Sequence, residues 1–247
     1  MHPRETGFNE ELAHSRKNIY QFLAAVFLEK PKPELVERVI AKSSLDDLRE
    51  IFSERCVSFL RNFAEQYSGD ILPLEIEYTH LLVAPLGQYV TPYESVYRDE
   101  KEIAGQKVKG LLMGESAVDV KKTIRKIGAE IDKSYRSLPD HIGLELQVMY
   151  FLCEQEGNAW SAQQLDEAVK FLEFEEEFLR RHLTVWVPVL TGRILERTKN
   201  DFFRGIACMT REFIEIEKNS FDRFAPAGVR SSREILRQEE PLNGSGQ

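Results

Sequence analysis

The sequence predicts an all-α protein, an irregular multi-helix bundle of about nine helices. Three observations predict it. Apolar residues recur at helical spacing through most of the 247 residues,. Proline and capping residues punctuate that pattern at helix-like intervals. Alternating β-branched segments bounded by tight hairpin turns are absent, so no strands are expected. Hydrophobic residues make up 42% and charged residues 30%, enough apolar material for a core,.

Asn9 is placed to cap a first helix that starts with Glu10 and Glu11. Its stripe is Ile19, Phe22, Leu23, Val26 and Phe27,. Pro31 and Pro33 end it and open a short helix through Leu35, Val36, Val39 and Ile40,. Ser44 with Asp47 reads as a capping box ahead of Leu48, Ile51, Phe52, Cys56, Phe59, Leu60 and Phe63,. Gly69 stops that helix, and Pro73 sits in the first turn of the next, which carries Ile76, His80 and Leu81,. Pro85, Gly87 and Pro92 then forbid helix, leaving a loop with Tyr89, Tyr93 and Tyr97,. Such a loop either packs onto the body or offers its rings to a partner.

Residues 98–114 are charged and hold three glycines, a poor helix. Residues 115–133 recover the period through Val120, Ile124, Ile127 and Ile131. Ser137 with Asp140 is a second capping box, with Pro139 in the first turn of a helix through Leu144, Val148, Met149 and Leu152,. Ser161 with Gln164 is a third box, opening a helix with Leu165, Val169, Leu172, Phe178 and Leu179. Glu173, Glu175, Glu176 and Glu177 read as its solvated face,. Pro188 marks a new first turn, and Asn200 or Asp201 caps a last long helix through Phe202, Phe203, Ile206, Phe213 and Ile214. Residues 1–224 are expected to form one helical domain and 225–247 a polar, mobile tail,. Two subdomains joined by a hinge are compatible with the pattern, with 98–114 and 134–139 as hinges; a monomer able to exchange domains into a dimer would follow.

The net charge of −8 argues against nucleic acid and suits a basic partner or simple solubility,. Cys56, Cys153 and Cys208 form no CxxC and sit among apolar residues, so they read as reduced core thiols of a cytosolic protein,. No apolar run reaches the ~18 residues of a membrane span, and residues 1–12 lack the apolar stretch of a signal peptide. No HExxH, phosphate loop or nucleophile elbow is present,. Asp140, His141 and Glu145 are the densest titratable group, the last two one helical turn apart,. One chemical reading is a metal-dependent helical hydrolase using them with His80. The bland reading makes Asp140 a helix cap.

Three segments together carry a resemblance: residues 77–97 (EYTHLLVAPLGQYVTPYESVY), 138–152 (LPDHIGLELQVMYFL) and 178–214, which opens FLRRHLTVWVP. They resemble, in order, the E-Y-x-x-L-F…P-Y-x-S-x-Y, P-D-H-x-x-x-E-L-x-F-M and F-L-x-x-H-L…W-x-P signatures of the TorD/DmsD/NarJ family of chaperones for molybdoenzymes. Leu82 stands where the family often has Phe, and Ser137 where relatives often have an acid ahead of Asp-His. The resemblance implies an all-α, non-enzymatic, cytoplasmic chaperone without a cofactor. Its partner would be the twin-arginine signal peptide, or the N-terminal segment, of a molybdoenzyme catalytic subunit, held until the cofactor is inserted. A branch of the family serves subunits without that leader. By matching position the peptide site is Pro92, Tyr93, Ser95, Tyr97, Asp140 and His141. Glu145 and Glu94 are placed to assist Asp140 in accepting arginine, and Leu82 to line an apolar groove with the tyrosines.

Overall fold

The computed structural model describes residues 3–85, 87–103 and 106–224. Among the described residues eleven α-helices run in the order α1 (Pro3–Leu28), α2 (Pro33–Ile40), α3 (Lys42–Arg49), α4 (Glu54–Gln66), α5 (Leu72–Tyr78), α6 (Glu94–Arg98), α7 (Glu115–Lys126), α8 (Ile142–Ser161), α9 (Leu165–Phe178), α10 (Thr184–Arg197) and α11 (Asp201–Phe224). The all-α expectation holds. The exception is a two-stranded antiparallel hairpin, β1 (Glu100–Ile103) and β2 (Gln106–Lys109), inside the segment read as poor helix. Its composition is charged rather than alternating, so the period-2 signal that marks a half-buried strand is missing. The expected C-terminal tail lies outside the described residues.

Helix α8 is the axis of the structure. It is apolar on most of its circumference, with Ile142, Leu146, Met149, Leu152 and Cys153 fully buried. That composition suits a helix wrapped by others rather than one with a wet face. Helices α1 and α9 pack along it, and α11 packs on α4 and α10. One contiguous core draws on α1 through α11, with Tyr20, Leu60, Phe178, Trp186 and Phe202 among its largest buried side chains.

Two helices contain π turns. Helix α5 runs into one at Thr79–Val83, and α9 runs through another at Leu179–Leu183 directly into α10. Pro188 therefore does not open a helix; it lies inside α10. Its missing N–H follows a turn already widened, and such departures concentrate where a side chain must be re-aimed. The second π turn carries Leu179, His182 and Leu183, all fully buried.

Several helix starts differ from the capping signals. Helix α1 begins before Asn9, and α3 begins at Lys42 without a side-chain cap. Ser161 ends α8 and Gln164 precedes α9 without a capping bond. The expected helix starts at Pro33 and Pro73 and the expected cap at Asn200 hold. Pro33 is the first residue of α2 and Pro73 the second of α5, and Asn200 Oδ1 accepts the N–H groups of Phe202 (3.0 Å) and Phe203 (3.4 Å). A capping box is four residues long and common by chance. Burial decides which one is used.

The cysteine reading is corrected. Cys56 on α4 and Cys208 on α11 form a disulfide, and Cys153 alone is a free, buried thiol. The packing of α11 on α4 brings together residues 152 apart in sequence. The acidic face of α9 is also corrected in part. Glu173 and Glu177 are exposed, but Glu175 is fully buried and Glu176 nearly so.

Candidate functional site

The tyrosine loop packs back onto the body. Val90 N–H donates to Leu81 O (2.8 Å), folding the loop over the π turn. Tyr93 and His141 then pair as a short antiparallel bridge, with Ile142 N–H on Pro92 O (2.9 Å) and Glu94 N–H on Asp140 O (3.0 Å). The loop thus enters α6 against the start of α8.

Asp140 is not the cap of α8. That place belongs to His141, whose Nδ1 accepts the N–H of Gly143 at 3.1 Å. Asp140 instead serves α6: its backbone oxygen takes the N–H of Glu94, and its Oδ2 takes the N–H of Ser95 at 2.9 Å. Two donors of a helix start are satisfied from another element. Asp140 is fully buried, and its Oδ1 has no hydrogen-bond partner.

Of the nine residues singled out from the sequence, seven come together here: Pro92, Tyr93, Glu94, Ser95, Asp140, His141 and Glu145. All but Tyr93 are buried. Tyr93 is half-buried, with its hydroxyl 2.5 Å from Ser137 Oγ and its ring edge-on to His141 at 5.2 Å. Tyr97 donates its hydroxyl to Thr91 O (2.7 Å) and lies between Trp186 and Arg193. Burial pushes its phenol up to about 12. Leu82 belongs to the core.

Behind Tyr93 lies a buried polar cluster. Glu94 Oε2 is 2.7 Å from His182 Nδ1, and Arg98 donates to Glu94 Oε1 at 2.7 Å. Glu145 Oε2 accepts from Trp186 Nε1 at 2.9 Å. Burial first, and then the charge of Glu94, raises the Glu145 carboxyl well above the usual range. The proposed hydrolase constellation is not assembled. Among the described residues, three groups of possible metal ligands converge, and none contains Asp140, His141 or His80. His182 was missed from the sequence. Its signal was there, in the F-L-x-x-H-L match, but a histidine with no partner nearby in the chain gives no chemistry to read.

In front of Tyr93 a groove of about 1050 Å³ opens between the end of α1, residues 124–138 and one face of α8. Its apolar lining includes Leu28, Ile131, Leu144, Val148 and Phe151, with Tyr93, Tyr135 and Tyr150 as rings. Glu29, Glu130 and Asp132 supply carboxylates, against one guanidinium, Arg136. Ser134 donates its N–H (2.6 Å) and hydroxyl (2.5 Å) to Asp132 Oδ1, and these bonds hold that carboxyl below its ordinary value. Of the nine expected site residues the groove takes only Tyr93. The other eight do not line it.

Burial lowers His141 to about 4, so the fold holds it neutral. Between pH 4 and 6.5 the unfolded chain binds a proton that the folded chain refuses. Stability from this group is complete above pH 6.5 and lost as pH falls through 4, a change of about 3 kcal/mol. Asn keeps a capping oxygen and does not titrate. Urea unfolding of wild type and His141→Asn across this range should show wild type losing that amount relative to the variant. Parallel pH curves would contradict a buried neutral imidazole.

Comparison with known families bears on what this arrangement serves. The family model for the nitrate reductase delta subunit matches residues 41–192, more than half of the chain and all nine of the expected site residues. The chain belongs to the nitrate reductase delta subunit family. It is 21% identical over 218 residues to the chaperone protein TorD of Vibrio parahaemolyticus, covering 85% of this chain and 94% of that protein. It is 24% identical over 98 residues to the perchlorate reductase assembly chaperone protein of Dechloromonas aromatica, covering 40% of this chain and 43% of that relative. A solved structure of a redox enzyme maturation protein from Archaeoglobus fulgidus matches with a TM-score of 0.46 and 17% identity, over 81% of this chain and 93% of that one. No helix among the described residues is long and apolar enough to cross a membrane.

Proposed function

We propose that this member of the nitrate reductase delta subunit family is a cytoplasmic, non-enzymatic chaperone. It binds the N-terminal twin-arginine peptide of a molybdopterin-dependent oxidoreductase and holds the enzyme while its cofactor is inserted. The observation that carries this reading is the groove in front of Tyr93. It combines an apolar floor with carboxylates at its rim. An N-terminal leader has the complementary layout, guanidinium groups followed by an apolar stretch that can lie as a helix in such a groove. The protein's net charge of −8 speeds the encounter with a basic peptide,. The match to the nitrate reductase delta subunit favours a second reading, a client subunit whose N-terminal segment lacks the arginine pair.

Calorimetric titration of N-terminal peptides from the host's molybdopterin-dependent reductases tests both. Tyr93→Ala should weaken binding by about 2 kcal/mol, the scale of an aromatic anchor, with helical content unchanged. Glu130→Gln with Asp132→Asn should reduce binding and its salt dependence together. Asp140→Asn asks whether a peptide guanidinium reaches the buried carboxylate, and a tenfold loss is expected if it does (~1.4 kcal/mol). A peptide bound equally well after its arginine pair is changed to glutamine points to the second reading. Binding unchanged by every groove variant would remove the groove from the site.

A further inference from the structure

The structure buries two clusters of carboxylates, and they are balanced differently. In the first, Arg16 on α1 supplies a guanidinium to Glu156, Glu175 and Glu217. In the second, Glu94, Glu145 and His182 meet at the junction of α6, α8 and the π turn of α9–α10, each with 0% exposure. The cation bonded to this second cluster is Arg98, which is 37% exposed and reaches a single oxygen of Glu94. Glu145 Oε1 is buried without a hydrogen-bond partner, while His182 turns Nδ1 to Glu94 and Nε2 to Asp119. A polar atom buried unpaired inside such a cluster is costly and points to a group that completes it.

We propose that Glu94, Glu145 and His182 bind a divalent first-row transition cation, with zinc the best fit to one imidazole and two carboxylates. One ligand atom from each lies within 4.8 Å of the others. A tetrahedral ion with bonds of about 2.0–2.2 Å needs them closer by roughly 1 Å, a side-chain adjustment. The surroundings are those of a metal site. Trp186 Nε1 orients Glu145 through the oxygen at 2.9 Å, and Arg98 orients Glu94. Asp119 Oδ2 stands 3.3 Å from His182 Nε2, placing a carboxylate on the far side of the imidazole. Outer carboxylates of this kind fix the ring and raise its basicity toward a metal. The π turn supplies the geometry by turning His182 inward. An ion here joins three elements at Glu94, the residue after Tyr93, so it stiffens the segment that presents Tyr93 to the groove. Three protein ligands leave the fourth tetrahedral position to a water, and with every protein ligand buried the ion's task here is to hold the three elements together.

The test uses the full chain after chelator treatment, titrated with zinc chloride in a calorimeter and with cobalt(II) in an absorption spectrometer. One equivalent should bind with a dissociation constant below about 10 μM. Tetrahedral cobalt bands should appear, and zinc should raise the melting temperature. Glu145→Gln retains an acceptor for Trp186 and should bind at least tenfold more weakly. Glu175→Gln, in the other buried carboxylate cluster near Cys153, should bind as wild type does. Circular dichroism checks that both variants fold. Wild type that takes up no zinc at this affinity overturns the proposal without any variant. So does wild type equal to Glu145→Gln, or a loss that follows Glu175→Gln instead.

Discussion

Replacing Arg16 with Met is expected to cost about 3–5 kcal/mol of folding stability. Arg16 projects inward from α1 and is 8% exposed. Its Nε donates to both oxygens of Glu217 on α11 (3.0 and 2.8 Å), its Nη1 to Glu156 on α8 (3.0 Å), and its Nη2 to Glu175 on α9. Tyr20 donates to the same Glu217, and Trp160 Nε1 to Glu156, so the carboxylates are held in place from several sides. Met fills much of the volume but leaves three buried acids without their cation. Burial already raises the carboxyls of Glu175 and Glu156, so in the variant they escape part of the penalty by holding protons. That escape closes as pH rises, because the unfolded chain then releases protons that the fold retains. The variant should therefore be less deficient at pH 5 than at pH 8. Urea unfolding at both values reads it. A loss below 1 kcal/mol at pH 8 would mean that the cluster contributes little. Arg16→Lys should recover only part of the loss, since an ammonium cannot span three carboxylates as a planar fork does.

Removing the Cys56–Cys208 disulfide should be of similar size. The bond closes a loop of 152 residues, and chain-entropy arguments give about 5 kcal/mol for loops of this length, with measured values of 2–5 more usual,. Both cysteines are buried, and the neighbouring Glu212 ties the same two elements through Ser53 (2.8 Å to its N–H). Cys56→Ser with Cys208→Ser, and wild type unfolded under reductant, should lose comparable stability. Non-reducing mass spectrometry should find the peptide pair joined in the oxidised protein. If the double variant is as stable as oxidised wild type, the bond adds nothing to the packing of α4 on α11.

The sequence by itself determined the fold class, much of the core and the family. Apolar residues at helical spacing name most of the buried face of α1, α4, α8 and α11. The proline positions locate the starts of α2 and α5. These signals are local, arising from steric limits on the backbone and from one-sided burial, and they are legible wherever a helix has one wet face. Motif matching also located Asp140, His141 and Glu145 beside the tyrosine loop. Only the tertiary structure decided what those residues do. Asp140 looks like a cap for the helix that follows it in the chain, yet its carboxylate serves α6, 45 residues earlier. Glu175 sits in a run of acids that reads as a wet face, yet Arg16, 159 residues away, draws it inside. His182 has no partner in its own segment and finds Glu94 only through the packing of α6 against the π turn. Buried charges are stabilised by partners brought from distant elements, because hydrogen bonds and ion pairs act over a few ångströms of space and are blind to separation along the chain. The groove follows the same rule. Its floor comes from α1, α7 and α8, and its carboxylates from segments that look like ordinary charged surface until those helices meet.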